Sequence, residues 1–482
     1  MMTALMRLTL AASVSLALSA CGTVGNDFFA PKNLDGAAFR HQAPGAAGEA
    51  RLPQDWWSVF GDATLDRLER SALRDNPSVR AAAQRLLQAQ AQAGVARVGQ
   101  TPTLGVNASV ANSRTSANTS QSLALGGRSI SGNNYALGAA MSYELDLLVR
   151  VRRLVEAADA QALAAEADRD GVLLMLSAQV ASNYWQLRGL DAEMAILAGA
   201  LDTRRESAQL IEARFNAGLT NELDLARARV EHANAQADLH EVKRQRTLLE
   251  HSLATLTGVA PAALQLPAAG AATGGAAALP QPPAIPVGLP ASLLAQRPDL
   301  AGSVANLRAA NAQVGVAEGA FYPTLQLTGN FGYASENLRE LAQGGSRQFS
   351  VGPLALTLPI FDGGRNRANL ALSKARYEEA LANHEGKLLT ALREVEDALS
   401  DLEQRQLQGQ AQQLSQQAAA RAHLVARARY ERGVSNYLDV TDAQRSSLAA
   451  DRAAVQIGTQ RLLATVAVAR ALGAGWQAPA AR

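Results

Sequence analysis

The chain has 482 residues, with 45 Lys+Arg against 43 Asp+Glu, a formal net charge of +2 and a single cysteine. So even a balance offers no basic field to a nucleic-acid backbone, which excludes that class of partner. One cysteine excludes an intrachain disulfide, and beyond residue 20 no apolar run reaches the ~18 residues of a membrane-spanning helix.

Residues 1–20 carry an early charge at Arg7, an apolar run from Leu8 to Leu18, and Ser19-Ala20 ahead of Cys21, which is the layout of a signal peptide. Leu18-Ser19-Ala20-Cys21 resembles a bacterial lipobox. That resemblance implies cleavage before Cys21 and a covalent lipid on it, with each buried methylene adding about 0.8 kcal/mol of anchoring. Gly22 stands where the lipoprotein-sorting pattern would place an inner-membrane aspartate, so the outer membrane is the expected destination. An ordinary signal peptide followed by a chance cysteine is the bland alternative. Residues 21–75 are read as an irregular N-terminal segment carrying the anchor.

A helix is expected from Pro77 to about Gly99, then two strands. In the first, Leu104, Val106, Ala108 and Val110 alternate with small or polar residues; in the second, Tyr135, Leu137, Ala139, Met141 and Tyr143 do so. The Ser/Asn/Gly-rich stretch 113–132 between them reads as a surface loop. No proline occurs between Pro102 and Pro261, and from about Arg150 to Ala217 nothing breaks a helix, which allows a rod of roughly 100 Å. Gly218 is placed to end it, Thr220-Asn221 to cap the next helix, and a returning helix runs to about Thr257. The returning helix is too short to cover the rod. The helix from Pro77, stacked on it end to end, would make up the difference.

After a Pro/Ala/Gly-rich connector, 261–296, the chain repeats itself. ARFNAGLTNELDLARAR from Ala213 returns as ARYERGVSNYLDVTDAQ from Ala428, GQTPTLGVNASV from Gly99 as GAFYPTLQLTGNF from Gly319, YELDL as LPIFD, and Asn76-Pro77 as Arg297-Pro298. The second copy supplies strands around 325–333 and 349–358, the latter disturbed at Gly352-Pro353, a loop at 335–348, a rod from about Gly364 to Arg432, and a returning helix to about Leu472. The fold class is therefore mainly α with a membrane β-barrel, built from a duplicated helix-strand-strand-helix-helix unit. Its divisions are a signal peptide 1–20, the segment 21–75, a first repeat 76–260, the connector, a second repeat 297–473 and a tail 474–482. Strands of about ten residues suit a tilted bilayer crossing, and four strands per chain cannot close a barrel, so the barrel must be shared.

DWWSVFGDATLDRLERSALRDNPSVRAAAQRL, SYELDLLVRVRR, IPVGLPASLLAQRPDL, FYPTLQLTGNFG, LPIFDGGRNRANL and RYERGVSNYLDVTDAQRSSL stand in this order over nearly the whole mature chain. Together they resemble the TolC-like outer-membrane efflux channels, in the lipoprotein branch that works with resistance-nodulation-division pumps. The resemblance implies a homotrimer, a twelve-stranded barrel in outer-membrane lipid, and a helical periplasmic tunnel. Its implied partners are a periplasmic adaptor and an inner-membrane resistance-nodulation-division pump. It departs from the family's aromatic-Gly-Arg at Leu148-Val149-Arg150, which bears on the geometry where barrel meets tunnel. A type I protein-secretion outlet shares the fold and is the alternative function.

No GxxxxGK[ST], GxGxxG after a strand, GxSxG or HExxH occurs, so neither an enzyme, a resident metal nor a cofactor other than the Cys21 lipid is expected. The six histidines are scattered, and His232 and His240 are too far apart to share a metal. The family's pattern puts a periplasmic gate at Leu438 and Asp442, which share a helix face, with Asp439 beside them. Arg227 stands where the first copy matches Asp442, which suggests a charge latch between the hairpins; a carboxylate complementing the helix dipole is the competing reading, above all for Asp439. Gly218-Leu219-Thr220 and Gly433-Val434-Ser435 resemble the family's adaptor-docking tips, although capping alone would explain the glycines.

Overall fold

A computed structural model of the chain describes residues 24–31, 39–40, 52–124, 126–268, 279–285 and 297–476. Cys21, the signal peptide, most of the connector and the last residues of the tail lie outside them. The helices are α1 (Ala63–Asp75), α2 (Pro77–Val98), α3 (Ser120–Ala124), α4 (Arg150–Asn216), α5 (Glu222–Leu256), α6 (Pro298–Gly319), α7 (Arg365–Glu431) and α8 (Tyr437–Ala471). The strands are β1 (Thr103–Arg114), β2 (Ser131–Leu145), β3 (Thr324–Ser335) and β4 (Arg347–Thr357). α4 and α7 are 67 residues each and α5 and α8 are 35 each, so the proline-free windows do hold two long rods with shorter returns. No helix among the described residues is long and apolar enough to cross a membrane.

The chain forms two compact units, and each draws on both copies of the duplication. The first takes Met1–Pro31, Arg85–Ala165 and Gly302–His384. At its centre is one antiparallel sheet in the order β1-β2-β3-β4. Thr103 pairs with Ser142, Tyr135 with Ser335 and Thr324 with Thr357. β1 and β2 outrun their alternating apolar stretches, because Asn112, Ser113 and Arg114 continue the ladder against Asn133, Gly132 and Ser131, and the Asn112 amide bonds Asn133 at 2.7 Å. The expected loop 113–132 thus shrinks and holds the short α3. Pairing of β3 with β4 shifts register between Leu327 and Gly329, opposite Gly352-Pro353, so the disturbance read at that dipeptide is a bulge.

Where the sheet ends, carboxylates take over the first backbone amides of the rods. Asp146 accepts from Val151 N at 3.0 Å and Arg152 N at 2.8 Å, while Glu144 grips Arg150 with both oxygens at 2.8 Å. In the second copy Asp362 does the same for Gly364 and Asn366, at 2.9 and 2.8 Å. The two turns solve their backbone differently. The second uses Gly363 and Gly364 at φ +67° and +90°; the first puts Val149 at φ +70°, the only described non-glycine residue with positive φ. A β-branched side chain in that region costs roughly 1–2 kcal/mol. The first turn therefore carries a backbone strain that the second avoids.

The second unit comprises Lys32–Gln84, Glu166–Ala301 and Glu385–Arg482. Its main core joins Trp56, Trp57, Leu65, Leu68 and Ala72 to Val180, Tyr184, Trp185 and Leu187 of α4, Leu253 of α5, and Leu462 and Val466 of α8. Asp62 caps α1 through Thr64 N and Leu65 N and accepts the Tyr184 hydroxyl at 2.6 Å, which ties the cap to the rod.

End-to-end stacking of the short helices is built from the matched Asn76-Pro77 and Arg297-Pro298. The Asn76 amide donates to Leu256 O, the last residue of α5, at 2.8 Å, and its oxygen caps Ser78 N at 2.7 Å. Gly258, at φ +77°, lies so close that an added Cβ would sit 2.6 Å from Asp75 O. In the second copy Arg297 donates to Ala471 O, the last residue of α8, at 2.9 Å, and bridges Asp299 and Glu394 at 2.8 Å each. One residue before a proline thus splices the end of a returning helix to the start of the short helix that opens its own copy, where four terminal carbonyls would otherwise lack partners. Burial pushes the Asp299 carboxyl up, but the Arg297 guanidinium outweighs it and holds its pKa below the ordinary value.

Two expectations follow. Val149→Gly should stabilise the chain by about 1 kcal/mol, read as a higher denaturation midpoint, because it removes the left-handed penalty; a lower midpoint would mean that the valine packs more than it strains. Arg297→Met should cost about 1.5–3 kcal/mol, the range for hydrogen bonds to charged groups, with faster amide exchange at the end of α8. The Asp299 share is complete above its unfolded pKa of ~4 and is lost as pH falls through the depressed folded value, so the acid-induced loss of stability should be smaller in Arg297→Met.

Candidate functional site

The hairpin turns of the second unit are two copies of one device. α4 ends with Gly218 at φ +74° and with Leu219 N bonded to Arg214 O at 2.8 Å; α7 ends with Gly433 at φ +75° and with Val434 N bonded to Arg429 O at 3.0 Å. Asn221 and Asn436, rather than the preceding Thr220 and Ser435, cap the returning helices, accepting from Asp224 N at 2.9 Å and Asp439 N at 3.0 Å. Thr220 instead bonds the Asp224 carboxylate at 2.9 Å, and the Ser435 hydroxyl is buried without a partner. Leu219 and Val434, at the points of the turns, are 75% and 62% exposed.

The two tips pack on each other through Ile211, Leu225, Ala228, Tyr437 and Val440. Arg214 donates to the Tyr430 hydroxyl at 2.9 Å and lies 5.2 Å over that ring, and Tyr430 stacks obliquely on Tyr437 at 5.7 Å. Behind this apolar plug runs a seam of charge. Glu231 of α5 is 5% exposed at its side chain and is gripped by Arg204 of α4 at 3.1 Å and by the Arg445 guanidinium of α8, whose Nε donates at 2.8 Å. One heptad along, Arg452 of α8 reaches Glu193 of α4 at 2.8 Å and Asp238 of α5 at 3.4 Å.

Leu438, Asp439 and Asp442 stand exposed on the first two turns of α8. Within one chain Asp442 pairs with Arg445 at 3.8 Å and Arg227 with Asp224 at 3.8 Å, each on its own helix. The opposite-charge contact between hairpins is thus made by Glu231 and Arg445, with the acid on the first hairpin and the base on the second. Arg227 and Asp442 are not brought together inside one chain among the described residues. Neither Glu231 nor Arg445 stood out in the sequence. The signal was there in the seven-residue spacing of Glu231 and Asp238 against the same spacing of Arg445 and Arg452.

A sheet with two open edges, long rods with paired hairpin returns, and tips plugged by tyrosine and locked by charge define a class, that of channel subunits. The family model "Outer membrane efflux protein" matches residues 68–259 and 289–474. The chain is 38% identical over 442 residues to outer membrane protein OprJ of Pseudomonas aeruginosa, covering 92% of this chain and 89% of that one. It is 32% identical to the probable efflux pump outer membrane protein TtgC of Pseudomonas putida over 89% of this chain and 87% of that one. Its fold superposes on the outer-membrane channel OprN with a TM-score of 0.86 and 32% identity, over 95% of this chain and all of that one. The chain belongs to the outer membrane efflux protein family. It is the outer-membrane channel of an efflux pump, mainly α, with four strands per chain in a shared, trimeric twelve-stranded barrel and a periplasmic helical tunnel.

Removing a partner from the buried Glu231 cluster should be expensive. Glu231→Ala leaves the Arg204 guanidinium buried and uncompensated, at a cost of about 3–5 kcal/mol. Amide exchange should rise at the starts of α5 and α8 while the Trp185 core stays protected. Unchanged protection at both tips would show that the tyrosine plug alone holds the hairpins.

Proposed function

We propose that the protein is the passive exit duct of a tripartite pump, a channel without catalysis of its own, working with a periplasmic adaptor and an inner-membrane resistance-nodulation-division pump. The observation that carries this reading is the state of the tips: locked within the chain by Glu231 and Arg445, yet presenting Leu219, Val434, Leu438 and Asp442 outward. A subunit whose charged seam is already satisfied keeps those exposed groups for its neighbours. Leu438 and Asp442 belong to the constriction of the assembled trimer, and Gly218-Leu219-Thr220 with Gly433-Val434-Ser435 form the adaptor-docking surface. Arg227 and Asp442, each left with only a long pair on its own helix, are available to latch one subunit to the next.

The cargo in this reading is small molecules such as drugs, selected by the pump and adaptor rather than by the duct. Acylation of Cys21 anchors the assembly in the outer membrane; Cys21→Ser should abolish labelling by a fatty-acid probe, and persistent label would refute it.

Planar-bilayer recording tests the gate. Leu438→Ala widens and loosens the constriction, so conductance should rise; Asp442→Ala removes a carboxylate ring, so cation preference should fall with the pore still open. Conductance and selectivity equal to wild type in both variants would place the constriction elsewhere.

A further inference from the structure

The segment that follows the acylation site does not wander. Residues 24–31 belong to the first unit, and a buried arginine of α4 holds them there. Arg153 donates from Nε to Val24 O at 3.4 Å and from Nη2 to Gly25 O at 3.1 Å and to the Asp27 carboxylate at 2.8 Å. Its Nη1 is turned inward onto Glu156 at 2.7 Å, which also faces Arg308 of α6 at 3.4 Å. Asn311 of α6 completes the row, donating to Asn26 O at 3.0 Å. Three successive carbonyls, Val24, Gly25 and Asn26, are thus taken up by two side chains, and Val24 is buried.

Backbone shape enforces the same seat. Gly25 has φ +85°, and an added Cβ would sit 2.7 Å from Gly315 Cα, so two glycines allow strap and α6 to touch backbone to backbone. Gly315 in turn lies against the Arg153 stem, where an added Cβ would meet Cγ at 3.2 Å. Four hydrogen bonds and a glycine-glycine contact on eight residues exceed what a loose terminus needs.

The place of the seat gives it meaning. Arg153 is in the first turn of α4, and β2 ends at Leu145, so the seat is at the foot of the sheet in the same unit. Val24 stands three positions after Cys21, a reach of about 10 Å even when fully extended. We infer that the Arg153 seat fixes the lipid anchor at the foot of the membrane strands, so that acyl chains and strands enter one leaflet together; this rests on the acylation of Cys21 proposed above. The surface recognised by the assembled foot is a lipid leaflet, met by three anchors at set positions around one barrel. Each anchor then adds its affinity as an intramolecular term, which a long slack tether would dilute.

The test compares two full-length variants with wild type. Arg153→Met opens the seat. An insertion of 16 Gly/Ser residues between Thr23 and Val24 leaves the seat intact but lets the anchor range over about 20–24 Å. All three proteins are pulse-labelled in cells, scored for fatty-acid label, and followed as heat-resistant trimer in the outer-membrane fraction. The expected result is equal lipid label in all three, with trimer appearing several-fold more slowly in both variants. A slack-tether variant that assembles at the wild-type rate overturns the inference, because anchor position would then be irrelevant. A slow slack-tether variant beside a normal Arg153→Met variant overturns the role of the seat. If Arg153→Met does not fold, the slack-tether variant decides alone. Wild-type protein without label refutes the acylation itself, and is recognised by loss of label rather than loss of trimer.

Discussion

Open strand edges govern this molecule. β1 and β4 each present a row of backbone N–H and C=O groups with no strand partner among the described residues, and in hydrocarbon every such group costs several kcal/mol. The apolar side chains of those strands, Leu104, Val106 and Val110 on one and Phe349, Val351 and Leu356 on the other, are exposed in the single chain and need lipid or a neighbouring copy. Both demands are met when β4 of one subunit pairs with β1 of the next and the sheet closes on itself. Oligomerisation is therefore a requirement of the backbone and not an embellishment.

The duplication follows from the same constraint. Two strands joined to three helices make a unit that buries little on its own, since its helices are rich in alanine. Doubling it within one chain lets one copy answer the other: Glu231 of the first meets Arg445 of the second, and Asp238 meets Arg452. The copies have diverged where they touch and stayed alike where each does the same job. Asp146 and Asp362 both cap a rod, and Asn221 and Asn436 both cap a return.

Much of this was legible in the residues. The proline-free windows, Gly218 and Gly433, and the alternation in 104–110 and 325–333 mark rods, turns and strands because each rests on local backbone chemistry. Asn76-Pro77 and Arg297-Pro298 were visible as a matched pair, but their work as helix splices depends on where Leu256 and Ala471 end, which no local pattern states. The positive φ of Val149 was hidden for a similar reason: valine announces a strand, and its left-handed turn lies between Glu144 and Asp146, which end the sheet, and the rod residues Arg150 and Val151 that they bind. Arg153 carries no local signal of its role, which depends on residues 24–27 lying against it. At the tips, Leu438 and Asp442 drew notice through family resemblance, whereas Glu231 is a buried acid on a polar helix and gives itself away only through the spacing of its partners.

The most direct test of this account is the mass of the purified particle in detergent, measured by native mass spectrometry together with ion conductance from the same preparation. Three chains per conducting particle is the result that four strands per chain require. A stable single chain that conducts ions would contradict it, because one chain would then have closed a barrel with edges that the sheet leaves open.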